Sequence, residues 1–169
     1  MYRIFFLKTQ HLLINKETVK TSREKLDIEN WNRKNHFMLY KDFEEPFFGV
    51  CVELDCTKAY KVSKENNYSF FLYYLHKSLV ATNRIEPFRY RITDNEVFVY
   101  DQTHASPTIN RPDGTFGFGY VYYYEDFSDF VKNAQVEIDR VRSSEGLQPS
   151  LSEDNFIHYS SIPWIAFTS

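Results

Sequence analysis

The segment FRYRITDNEVFVYD, residues 88–101, constrains the fold most. Two runs rich in aromatic and β-branched residues flank TDNE, and Asp94 and Asn95 accept turn conformations that most residues avoid. This pattern predicts an antiparallel hairpin around a four-residue turn. A lone hairpin is marginal in water, so it needs further strands or helices packed on it. The flanking sequence supplies both. Ser69 is placed to cap a helix over FFLYYLHKSLVATN, which is apolar nearly all round and therefore buried, and Pro87 marks its end. Ser128 is placed to cap DFVKNAQVEIDRV, where Phe130, Val131, Ala134, Ile138 and Val141 keep helical spacing, and Gly146 and Pro149 follow. Asp27 or Asn30 would start a short helix carrying Trp31, His36, Phe37 and Tyr40. FFGVCVELD, after Pro46, reads as a strand, as do TFGFGYVYYYED and NFIHYSSIPWIAFTS, the last interrupted near Pro163. Gly117 and Gly119 alternate with aromatics, which predicts close backbone approach on one face. The expected fold class is α/β, a mixed β-sheet covered by helices.

Composition excludes several function classes. The chain has 169 residues, 43% apolar and 18% aromatic, enough for one domain with a sizeable core and incompatible with disorder. A net charge of −3 gives no basic footprint, so no nucleic-acid partner is expected. No apolar run is long enough to span a membrane and IFFL is too short for a signal segment, so the expectation is a cytoplasmic protein with no membrane partner. Cys51 and Cys56, five apart in the apparent strand, would point to opposite faces and read as two small buried thiols. No CxxC or Cys/His cluster suggests a metal. GxGxxG, GxxxxGK[ST] and GxSxG are all absent. Residues 1–21 show no clear period and read as an N-terminal extension of unknown role.

Residue types alone assign no catalyst. Ser160 and Ser161 read as strand hydroxyls, His36 as a structural helical residue, and His104, in THASP, as a surface residue of a loop. Glu44–Glu45 and Glu153–Asp154 fall in apparent loops, where carboxylates are solvated.

Four stretches in order carry more. WNRKNHFMLY, PFFGVCVELDCT, EPFRYRITDNEVFVYD and SSIPWIAFTS together resemble the chloramphenicol acetyltransferase family, from about residue 26 to Ser169. The resemblance makes 22–169 the N-terminal three quarters of such a domain, with a mixed-sheet α/β fold and a homotrimer whose active sites lie between subunits. It implies acetyl-CoA as co-substrate, no metal, and chloramphenicol or a similar hydroxyl compound as acceptor, the result being antibiotic resistance. By match to the family's motifs, Ser160 would stabilise the oxyanion, Tyr40, Phe48, Thr108 and Phe116 would line the acceptor pocket, and Arg33 would hold the catalytic loop as a structural residue.

The family's general base lies in a His-x-x-x-Asp-Gly motif. The one Asp-Gly here, Asp113–Gly114, has no His four residues before it, so the catalytic His is absent from these residues. SSIPWIAFTS then looks like an interior strand cut open, and the 169-residue chain alone is expected to be inactive and poorly stable. Leu39, Pro46 and Leu147 depart from the family pattern near the pocket. They leave open an acyltransferase relative with another hydroxyl acceptor, while a non-catalytic truncated remnant is the further alternative.

Overall fold

In the computed structural model, residues 22–147 and 154–164 are described. The N-terminal extension, and the end of the SSIPWIAFTS run, lie outside them. In chain order the elements are β1 (Arg23–Lys25), α1 (Lys34–Tyr40), α2 (Thr57–Glu65), α3 (Phe70–Arg84), a 3-10 turn (Glu86–Arg89), β2 (Tyr90–Thr93), β3 (Glu96–Tyr100), β4 (His104–Asn110), β5 (Phe116–Phe118), α4 (Phe127–Arg142) and β6 (Phe156–Tyr159). They build two three-stranded sheets, ordered β1-β3-β2 and β5-β4-β6, rather than one. The first is antiparallel throughout. In the second, β4 is antiparallel to β5 and parallel to β6.

The expected hairpin is β2–β3, and its turn is tighter than four residues. Thr93 pairs with Glu96, leaving Asp94 (φ 53°) and Asn95 (φ 62°) as a two-residue loop in the left-handed region. Asx side chains tolerate that region better than most, and two such residues match the twist of the strands. Ser69 caps α3 as its sequence suggests, accepting the Leu72 N–H at 3.4 Å. Leu72, Leu75 and Leu79 of α3 then meet Phe130, Ala134, Ile138 and Val141 of α4 over Ala105, Ile109 and Val121. Helix α4 begins earlier than Ser128. Asp126 caps it by accepting the Asp129 N–H at 3.0 Å, and its charge suits the positive end of the helix dipole.

Other expectations are corrected. Asp27 caps no helix; it closes a turn, accepting from the N–H of Glu29 at 3.1 Å and of Asn30 at 3.4 Å, and α1 starts only at Lys34. Helix α2 follows Asp55, which takes the Thr57 N–H at 2.9 Å; its lysine-rich sequence hid the helix. FFGVCVELD forms no strand. Phe47, Phe48, Val50, Val52 and Leu54 are all well exposed, Cys51 is exposed and Cys56 half-buried. A strand needs a neighbour to bond its backbone, and among the described residues no backbone hydrogen bond ties 46–55 to another segment. THASP, read as a loop, is the start of the central strand β4, and His104 is fully buried rather than on the surface. Pro107 disguised the strand, since proline is rare in central strands. Its carbonyl alone is used, accepting from Gly119 N–H at 2.9 Å.

Candidate functional site

The β5-β4-β6 sheet has two unlike faces. On one, Ala105 and Ile109 join the core under α3 and α4, with Tyr159 packed against it. The other face follows from register and the two-residue period of a strand. The Ala105–Val121 bridge extends the β4–β5 register beyond β5, so that His104 lies opposite Tyr122, and Ser106 opposite Tyr120. On β6, Phe156 pairs with His104 and His158 with Ser106. One step further along the same register, Ser160 stands beside Thr108, which pairs with Phe118; Asn110 pairs with Phe116.

Two hydroxyl contacts to α3 confirm which way Ser160 points. The Tyr159 hydroxyl bonds Ser78 Oγ at 3.0 Å, and Ser161 Oγ bonds the Tyr74 hydroxyl at 2.5 Å. Tyr74 and Ser78 are four apart on one helix face. Residues 159 and 161 therefore turn toward α3, and the residue between them turns away.

This second face grades from dry to open. At one end His104, Tyr122 and Phe156 form an aromatic cluster, with ring centroids 4.9–5.7 Å apart. Thr108, His158 and Ser160 are half-buried, Asn110 is exposed, and Phe116 is 44% exposed. A shallow cavity of about 310 Å³ opens beside Phe116, bordered by Arg111, Thr115, Gly146 and Leu147. Arg111 holds this end together. Its guanidinium donates to the carbonyls of Val141 (2.8 Å), Phe116 (2.7 Å) and Gly146 (2.6 Å), tying β5 to the end of α4. Gly117 permits that approach. A Cβ there would stand 2.5 Å from Arg111 Nη2 and 2.9 Å from Val141 Cγ1, the close contact its alternation with aromatics predicted. Glu137 of α4 fixes the next stretch by accepting from the Tyr120 N–H at 2.8 Å and from Arg140 at 2.7 Å. Burial pushes the Tyr120 phenol up to about 12, so it stays protonated.

The buried His104 imidazole is neutral. Burial takes His104 down to about 4, and its Nδ1 accepts the Tyr123 N–H at 3.1 Å, which an imidazolium could not do. Burial also lowers His76, and burial with the Arg91 charge lowers His158. A histidine whose folded pKa lies below its unfolded value stabilises fully above the unfolded pKa, near 6.5, and the contribution is lost as pH falls. For His104, stability is expected to drop between about pH 6.5 and 4, by up to about 1.4 kcal/mol per pH unit. Urea midpoints across that range test this; an unchanged midpoint would contradict the neutral, buried His104.

Thr108, Phe116 and Ser160 thus share one face. Tyr40 and Phe48 do not join them in this single chain. Tyr40 ends α1, is 52% exposed and packs edge-on to Phe43 at 5.1 Å. Phe48 is 91% exposed. Arg33 immediately precedes α1, and among the described residues no carboxylate forms an ion pair with it. Sequence reasoning missed Ser106, His158 and Phe118. The two-residue period back from Ser160 points to His158, but only the strand register brings in Ser106 and Phe118. Among the described residues no group of three His, Cys, Asp or Glu could hold a metal, and no helix is long and apolar enough to cross a membrane.

The domain is mixed α/β, with helices over one face of the β5-β4-β6 sheet and a hydroxyl-bearing second face with aromatic walls. The family model for chloramphenicol acetyltransferase matches residues 22–169. Curated relatives include chloramphenicol acetyltransferases of Proteus mirabilis, 28% identical over 85% of this chain and 67% of the relative, and of Bacillus pumilus, 29% identical over 83% and 65%. The match to chloramphenicol acetyltransferase 2 of Escherichia coli is 27% identical, over 85% and 68%. A solved chloramphenicol acetyltransferase structure superposes with a TM-score of 0.80 at 31% identity, covering 88% of this chain and 73% of that one. The chain belongs to the chloramphenicol acetyltransferase family, and the matched region spans about two thirds of the length of these curated relatives.

Proposed function

We propose that this chain forms the acceptor-binding part of an acetyl-CoA-dependent O-acetyltransferase acting on chloramphenicol or a similar hydroxyl compound. The observation that carries the reading is Thr108 beside Ser160 on a half-open face walled by Phe116 and Phe118. Family membership supplies the reaction class. In that reaction an imidazole base takes the proton of the acceptor hydroxyl, and the oxygen attacks the thioester carbonyl of acetyl-CoA. The new C–O bond forms while the carbonyl electrons move onto oxygen. The Ser160 hydroxyl donates to that oxyanion, and collapse of the intermediate expels the CoA thiolate, which takes up the proton. Thr108, Phe116, Tyr40 and Phe48 hold the acceptor, and Arg33 steadies the catalytic segment.

The exposure of Tyr40 and Phe48 supports a site completed by a neighbouring subunit, as in a homotrimer. Tyr40 and Phe48 would then be buried against the acceptor from across the interface. The base is the missing part, because no His-x-x-x-Asp-Gly occurs in the 169 residues. This polypeptide therefore binds acceptor and does not turn it over. The departures at Leu39, Pro46 and Leu147 favour a hydroxyl acceptor somewhat different from chloramphenicol as the second reading. A cytoplasmic location fits the supply of acetyl-CoA.

Titration of the 169-residue protein with chloramphenicol, followed by the fluorescence of Trp31 and Trp164, tests the reading. Saturable quenching is expected, with no CoA thiol released above the uncatalysed rate. Absence of binding at millimolar ligand overturns the acceptor assignment, and thiol release by this polypeptide overturns the assignment of the base.

A further inference from the structure

We propose that Ser106 and His158 form a second polar subsite, one register step from Thr108 and Ser160, that takes a second hydroxyl of the acceptor. The inference rests on the acceptor reading above and specifies the substrate class. Ser106 and His158 are direct partners across the parallel β4–β6 ladder. Ser106 is 1% exposed, and its hydroxyl has no hydrogen-bond partner among the described residues. A buried hydroxyl left unpaired is costly, and such groups are normally satisfied by a ligand or water. His158 is half-buried on the same face, and its imidazole makes no hydrogen bond among the described residues. Arg91 stands near it, fixed by bonds from Nε to the Asp154 carbonyl (2.6 Å) and from Nη1 to that of Tyr90 (2.7 Å), with Nη2 buried and without a described partner. Burial, and then the Arg91 charge, lower the imidazole's pKa and favour its neutral form, in which one ring nitrogen donates while the other accepts. A hydroxyl group, both donor and acceptor, suits that pair and the adjacent Ser106.

Spacing sets the rest of the recognition. His158 and Ser160 lie two residues apart on one strand face, roughly 7 Å along the strand. An acceptor with its reacting hydroxyl at Ser160 reaches His158 with a second hydroxyl two or three carbons away, the side chains closing the remaining gap. Beyond Ser106 the His104–Tyr122–Phe156 cluster fills the face and limits how far the ligand extends. The substrate class is thus a compact polyol-like acceptor, not a simple alcohol.

Calorimetric titration of the 169-residue protein with chloramphenicol and with its analogue in which the secondary hydroxyl is replaced by hydrogen tests this. Ser106→Ala and His158→Phe are expected to weaken chloramphenicol roughly tenfold, the scale of one buried polar contact, and to leave the deoxy analogue unchanged. The wild-type protein gives a second readout that does not depend on any variant's binding. The imidazole proton resonances of its five histidines are followed on titration, with His158 assigned by its loss in His158→Gln. The His158 resonance is expected to move with chloramphenicol and stay with the deoxy analogue. Equal weakening of both compounds, or an unmoved His158 resonance at saturating chloramphenicol, overturns the subsite and leaves the acceptor reading standing. Failure of the wild-type protein to bind either compound overturns both.

Discussion

Joining the 169 residues to a segment that carries His-x-x-x-Asp-Gly is expected to raise acetyl transfer to chloramphenicol from background by roughly 10²–10⁴-fold, the usual contribution of a positioned general base. Ser160→Ala in the joined chain is expected to remove about 10²–10³-fold of kcat, with KM little changed, as for loss of one oxyanion donor. The asymmetry between kcat and KM is the discriminating feature. Removing a hydroxyl that bonded the resting acceptor would raise KM, whereas removing one that meets charge only as the tetrahedral intermediate forms lowers kcat. The geometry behind this expectation is local. Tyr159 and Ser161 are held against α3 by Ser78 and Tyr74, so Ser160 faces the opposite side, toward Thr108. Steady-state kinetics with thiol detection checks both steps. A joined chain in which Ser160→Ala retains full kcat would remove Ser160 from the mechanism.

Arg111→Met is expected to cost about 3 kcal/mol of stability, read as a fall in the urea midpoint, because three carbonyls lose charged donors worth roughly 1.5–3 kcal/mol each and part of the desolvation of the guanidinium is recovered. The side chain is 8% exposed and spans Val141, Phe116 and Gly146. Arg111→Lys is expected to recover only a fraction, since one ammonium cannot reach three carbonyls that a planar fork reaches together. The same substitution frees the backbone at Phe116, so weaker chloramphenicol binding accompanies the loss of stability. A loss below about 1 kcal/mol would show that the end of α4 is held to β5 by packing alone.

How much of this was legible in the chain differs element by element. Ser69 and the apolar run after it specify α3 because a side-chain cap and a helical period are local. Asp94 and Asn95 specify the hairpin turn for the same reason. Gly117, alternating with aromatics, announced a close contact without naming Arg111 as its partner. FFGVCVELD shows the opposite case: strand propensity alone makes no strand here, and its apolar side chains stand exposed. β4 shows a third: a proline and three small polar residues conceal a central strand, whose backbone bonds come from β5 and β6.

The sequence by itself determined the helices α3 and α4, the β2–β3 hairpin, and, through its ordered motifs, the family. These depend on caps, turn residues and spacing within a few positions. Only the tertiary structure decided that Thr108, Phe116 and Ser160 share a face, that Ser106 meets His158, and that Tyr40 and Phe48 stand apart from them. Strand register is the physical reason. A slip of one residue reverses every side chain, and register is set by partners about 50 residues away rather than by neighbours in the chain.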